Sequence, residues 1–217
     1  MHTRHLSVFI RLLLSTVLTA TAFSTPAQTV YAAGIPVTTC NVGDLIAAIN
    51  TANGNGEADT ITLTAGCTYT FTTADNWWFG PNALPAIAST ITIEGNGATL
   101  SISSVTRLRF FYVGADPAMF SSPVTTTGTS GVLTLRNLTL HGGVAKGGSS
   151  NIGGGGAGMG GAIFNQGAVT LDRVTLTANS AIGGSDDGLY SHMGGGGIGE
   201  DVKNSPYGTF GGGFGGG

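Results

Sequence analysis

From residue 61 onward, apolar and polar positions alternate in very short units. Ile61-Thr62-Leu63, Tyr69-Thr70-Phe71, Ile91-Thr92-Ile93, Leu100-Ser101-Ile102, Leu133-Thr134-Leu135, Leu138-Thr139-Leu140, Val169-Thr170-Leu171 and Val174-Thr175-Leu176 share one pattern. Each puts two apolar side chains on one side of an extended backbone and a hydroxyl on the other, which predicts strands buried on one face. One stretch departs from period two: "NVGDLIAAINTAN", 41–53. There Leu45, Ile46, Ile49 and Ala52 fall on one helical face, Asn41 is placed to cap the first turn, and Asp44 sits near its positive end. "GNGE" then breaks the helix.

The strand units recur. "VLTLRNLTLHGG" (132–143) overlays "AVTLDRVTLTAN" (168–179) at an offset of 36, with Thr134/Thr170, Leu135/Leu171, Thr139/Thr175 and Leu140/Leu176 identical. Earlier spacings are 30 from Ile61 to Ile91 and 42 from Ile91 to Leu133, so the repeat is degenerate and carries insertions. Strands of three residues do not sustain hairpins alone. They do suffice when each pairs with its equivalent one turn along the chain. The predicted fold is therefore all-β: a right-handed parallel β-helix, a solenoid with aliphatic files inside and threonines outside. Gly and Asn turn its corners, Asn179 among them, and the helix at 41–53 closes its N-terminal end. An antiparallel sandwich is the alternative, but it calls for longer strands and regular two-residue turns. The predicted organisation is a leader at 1–32, a cap at 33–60, coils over 61–182, and a Gly-rich tail or incomplete further coils at 183–217. Nothing after Ser191 resembles a lid, so fraying beyond about Gly183 and exposed strand edges are expected.

Gly160-Gly161-Ala162-Ile163 and Leu176-Thr177-Ala178-Asn179 resemble the GGAI and FxxN repeats of the chlamydial-type polymorphic outer membrane proteins, with Leu176 where that family carries Phe. "CNVGDLIAAINTAN", "WWFGPNALPAIASTITIEGNGATL" and "AGMGGAIFNQGAVTL" are similar to exported bacterial β-helix repeat proteins more widely. The resemblance spans Cys40 to about Ala181. It implies the fold and a secreted or cell-surface life, outer-membrane-associated if a C-terminal anchor exists. It carries over no catalytic residue.

The N-terminus agrees with export. Arg4 and His5 precede an apolar stretch, Leu6 to Phe23, which is followed by small residues. Cleavage is expected after Ala27 or Ala32, with Ala32 preferred. Arg11 divides the stretch and leaves too few apolar residues for a membrane span, and no later stretch is long enough either. Outside the cytoplasm the two cysteines, Cys40 and Cys67, are expected to form a disulfide. A metal site is the alternative, but no neighbouring His completes a ligand set.

Charged residues make up only 9% of the 217, the formal net charge is −3, and no Lys/Arg cluster occurs, which argues against a nucleic-acid partner. Hydrolysis of glycans needs two facing carboxyls. Here Asp186-Asp187 and Glu200-Asp201 are adjacent pairs in Gly-rich loops, where neighbours point apart. They read as solvated, with Asp186 and Asp187 weak Ca²⁺ candidates. Glycines 153, 155 and 158 match GxGxxG formally, but a β pattern follows where a dinucleotide site needs a helix. His141 and His192 are isolated. No cofactor is expected. The aromatics of "NWWFGPNALP" (76–85) remain: Trp77, Trp78 and Phe79 either cover an apolar flank or stack on sugar rings, and at least one should be visible. The expected function is a non-enzymatic, adhesin-like or structural display scaffold whose partners are surface glycans or proteins. The alternative is a polysaccharide-active lyase or hydrolase on the same fold.

Overall fold

The apolar–hydroxyl–apolar units lie side by side, each paired with its equivalent in the next repeat. A computed structural model of the chain describes residues 34–103, 107–114, 131–150, 154–185, 198–199 and 201, and the backbone of 203–205 and 208–210. The leader expected at 1–32 lies outside these residues. The elements are β1 (Gly34–Val37), α1 (Val42–Gly54), β2 (Ala58–Leu63), β3 (Thr68–Phe71), β4 (Thr90–Ile102), β5 (Phe111–Val113) and β6 (Val132–His141). They continue as β7 (Val144–Lys146), β8 (Ile163–Asn165), β9 (Ala168–Thr177), β10 (Ser180–Ile182), β11 (Lys203–Ser205) and β12 (Gly208–Phe210).

The largest sheet runs β1-β2-β4-β6-β9, with β3 paired to the second half of β4. Every pairing in it is parallel. Two smaller parallel sheets pair β5 with β8 and β7 with β10, while β11 and β12 form an antiparallel pair. Parallel neighbours that are distant in sequence need a crossover between them, so the tight hairpins of an antiparallel sandwich do not build this sheet.

Register places like on like. Thr60, Thr92, Thr134 and Thr170 form one outward file, and Thr68, Thr99, Thr139 and Thr175 another. Ile61, Ile93, Leu135 and Leu171 form an inward file, as do Tyr69, Leu100, Leu140 and Leu176. Ile61, Ile93, Leu135, Leu100 and Leu140 are fully buried. Each such side chain contributes about 1.5–3 kcal/mol over its exposed state, which is why units this short hold. A third outward file alternates charge, Glu94, Arg136 and Asp172, with Arg136 Nε 3.8 Å from the Asp172 carboxylate.

The long strands bend at corners. Asn137 and Arg173 each occupy a left-handed conformation (φ 51° and 53°) between the two arms of β6 and β9, and Asn96 (φ 50°) does the same in β4. The next corner differs from the expectation drawn from sequence. Its left-handed residue is Ala178 (φ 53°), not Asn179. Asn179 instead ties two repeats together: its Nδ2 donates to the Leu140 carbonyl (2.9 Å), and its Oδ1 accepts from the Gly143 amide (2.7 Å). A side-chain amide suits such bridging because it offers a donor and an acceptor together.

The GGAI tetrapeptide acts through its backbone. Gly160 is left-handed (φ 66°), and a Cβ at Gly161 would lie 2.4 Å from the Ser180 carbonyl oxygen. The Ala162 carbonyl accepts from the amides of Phe110 and Phe111, and Ile163 opens β8 opposite Phe111. The glycine tract behaves likewise: the Gly156 amide donates to the Gly148 carbonyl, and the Gly184 amide to the Gly156 carbonyl, both at 2.8 Å.

At the other end α1 packs against β1–β4. Asn41 caps it, accepting from the Gly43 amide at 2.7 Å. Its buried face is Leu45, Ala48, Ile49 and Ala52; Ala48 takes the place expected of Ile46, which is only half-buried. Cys40 and Cys67 are joined by a disulfide that ties the entry of α1 to the start of β3. No helix among the described residues is long and apolar enough to cross a membrane.

Candidate ligand-binding groove

The aromatic loop between β3 and β4 is shaped by one buried amide. Asn82 is fully buried, and its Nδ2 donates to Asn76 Oδ1 (2.7 Å), the Trp78 carbonyl (2.9 Å) and the Gly80 carbonyl (2.9 Å). Its backbone carbonyl accepts from the amides of Asp75 and Asn76. A second buried group holds the loop from below. Arg109, 2% exposed, donates to the Phe79 and Met159 carbonyls and lies 5.1 Å from the Phe164 ring centre. Burial pushes its pKa down to about 10, so it stays charged at neutral pH.

This scaffold sends the three aromatics to three places. Phe79 turns inward at φ 54°, packed 5.3 Å from the rings of both Tyr112 and Phe164. Trp78 lines a recess of about 240 Å³ beside Asn50 and Asn53 of α1. Trp77 is 52% exposed. It borders an open groove of about 640 Å³ that also contains Arg107, Lys146, Ile182 and Asp201. Phe79 and Trp78 are thus half-buried, and Trp77 is the ring presented to solvent.

Asp201 is solvent-exposed, with 56% of its side chain accessible, and it is also tied to its neighbours. Its carboxylate lies 2.5 Å from Arg107 and accepts from the Ser149 amide at 2.6 Å, while Arg107 also donates to the Gly199 carbonyl. Burial by itself raises the Asp201 pKa. The Ser149 amide, the Arg107 guanidinium and the Lys146 charge outweigh it and hold the carboxyl below its ordinary value. A depressed carboxylate stabilises the fold above the ordinary value of 3.8, and that contribution is lost as pH falls through the lower folded value. Acid titration is therefore expected to release the 199–201 segment from Arg107. The measurement is the Ser149 amide shift, which should move sigmoidally below that value in the parent and stay flat in Asp201→Asn. Identical curves in both would contradict the contact.

No family model matches this chain, and no characterised protein or solved structure does either.

Asp186 and Asp187, the weak Ca²⁺ candidates, lie outside the described residues. Among the described residues no group of three or more His, Cys, Asp or Glu side chains could hold a metal ion. The repeat residues Gly160, Gly161, Ala162, Ile163 and Asn179 are structural contacts between neighbouring repeats, and Leu176 lines a recess at the far end of the sheet. Sequence reading missed Asn82, Arg109 and the Arg107–Asp201 pair. An Asn between two prolines, in "PNALP", was the available signal for the first. Nothing local signals a contact between residues 94 positions apart.

Proposed function

We propose that this chain is an exported parallel β-helix that displays the 75–82 loop and binds a glycan at the Trp77 groove without transforming it. The β-helix reading rests on the in-register parallel files and the aliphatic core between them. The export reading rests on the leader expected at 1–32 and on the disulfide, and the relation to polymorphic outer membrane proteins on Gly160-Gly161-Ala162-Ile163 and the FxxN-like Leu176-Thr177-Ala178-Asn179.

One observation carries the binding reading: a half-exposed indole sits at the rim of an open groove beside two cations and one anion. The apolar face of a sugar ring stacks on such an indole, and cations attract sugar carboxylates. The excess of one positive charge favours acidic over neutral glycans. Asp201 is a poor proton donor here because its partners hold it ionised. Hydrolysis would need a carboxyl kept protonated opposite a second one.

The test is titration of acidic and neutral polysaccharides monitored by tryptophan fluorescence and calorimetry. An acidic glycan is expected to bind, and Trp77→Ala to weaken binding about tenfold or more. Trp78→Ala should change it little. Equal binding by the parent and Trp77→Ala would remove the groove from the reading. Release of reducing ends or unsaturated uronates would replace binding with catalysis.

A further inference from the structure

The outer edge of β9 is unpaired among the described residues, and the apolar side chains beneath it are uncovered. Leu171 is 43% exposed and Leu176 49%, whereas their equivalents Leu135 and Leu140 one repeat earlier are fully buried. With Ile163 and Val169 they line an open recess of about 500 Å³. A ten-residue strand edge over an apolar recess is a template for a further strand.

The central eight residues of β9, VTLDRVTL (169–176), are self-complementary when read against their own reverse. A two-fold axis between Asp172 and Arg173 sets Val169 against Leu176, Thr170 against Thr175, and Leu171 against Val174 of a second copy. It also sets Asp172 against Arg173. Inward residues meet inward residues, hydroxyls meet hydroxyls, and opposite charges meet at the centre. The axis passes half a residue from the bend at Arg173, so the two arms of the strand exchange places while each Arg173 faces Asp172 of the other copy. Stacking tail to head is disfavoured, because α1 packs at the opposite end.

We propose that two copies of this chain associate tail to tail, with β9 pairing antiparallel to β9 across a two-fold axis between residues 172 and 173. The contact is isologous, so it closes at two copies instead of growing into a fibre. It extends the parallel core of each copy across the junction.

The experiment uses the full chain, in which the described cysteines are already paired with each other. The variants Thr170→Cys, Thr175→Cys and their combination are exposed to oxidised glutathione, which takes the electrons of any thiol pair it converts to a disulfide. The combined variant is expected to yield a covalent dimer, because residue 170 of one copy faces 175 of the other. Each single variant should stay monomeric on a non-reducing gel. Sedimentation of the parent should show a dimer, and Leu171→Lys should weaken it about tenfold or more without altering the circular dichroism spectrum. Cross-linking of Thr170→Cys alone as fast as the combined variant would overturn the antiparallel register. A monomeric parent with no cross-link in the combined variant would overturn the dimer, and is the result if a further coil or another protein occupies this edge.

Discussion

Gly161→Ala is expected to destabilise the protein by about 3 kcal/mol or more, at or beyond the top of the usual range for overpacking. The added methyl would stand 2.4 Å from the Ser180 carbonyl oxygen and 2.7 Å from the Ser180 backbone nitrogen, and all these atoms belong to main chain that cannot rotate away. Gly143, whose carbonyl accepts from the Ser180 amide, is as close: its own Cβ would lie 2.3 Å from the Gly161 carbonyl oxygen. The repeat is thus packed backbone on backbone at this point. Gly154→Ala is the control, because nothing lies within 4 Å of its Cβ position; it should stay within about 1 kcal/mol of the parent. Urea denaturation checks both. Equal midpoints for the two variants would mean that residue 161 is not wedged between neighbouring repeats.

The second large effect is expected from the disulfide. Replacing Cys40 and Cys67 together by Ala frees a loop of 27 residues in the unfolded chain, a loss of about 3.5 kcal/mol in the chain-entropy account. The cost falls on the end of the molecule where α1 covers the core, since the bridge fixes the residue before the helix cap to the residue before β3. Denaturation of the parent with and without reductant should reproduce the difference seen in the double variant. Amides of α1 should exchange faster in the reduced form, and those of β6 much less so. Unchanged stability after reduction would show that packing of α1 alone holds that end.

These two effects mark what the sequence made legible and what it did not. Period two in "VLTLRNLTL" and "AVTLDRVTL" sufficed for strands, for the inward and outward sets, and for the register between repeats, because a slip of one residue would put every leucine in water. The helix cap at Asn41 was equally local. The corner at Ala178 was not legible. Asn tolerates a left-handed backbone better than Ala does, and here the bridging hydrogen bonds of Asn179 outweigh that preference. Ala48 stands on the buried face in place of Ile46 because residues 45, 48, 49 and 52 are spaced i, i+3, i+4 and i+7, and Ile46 falls beside that stripe. The groove was the least legible. Trp77 could be picked out as an aromatic, but Arg107, Lys146 and Asp201 come from three distant segments, and only the fold brings them to one side. Arg109 and Asn82 support the loop from inside, where composition gives no hint of them.

The parallel stacking of repeats is the foundation of the groove, the glycine contacts and the open edge at β9. Methyl-labelled protein tests it most directly, through nuclear Overhauser effects between threonine methyls. Neighbouring parallel strands lie about 4.8 Å apart, so cross-peaks should join Thr60 to Thr92, Thr92 to Thr134, and Thr134 to Thr170 in an unbroken chain. Inside, Ile93, Leu135 and Leu171 should be linked in the same order. Cross-peaks that join Thr134 to Thr139 of the neighbouring unit as an antiparallel partner, with none between Thr134 and Thr170, would contradict it.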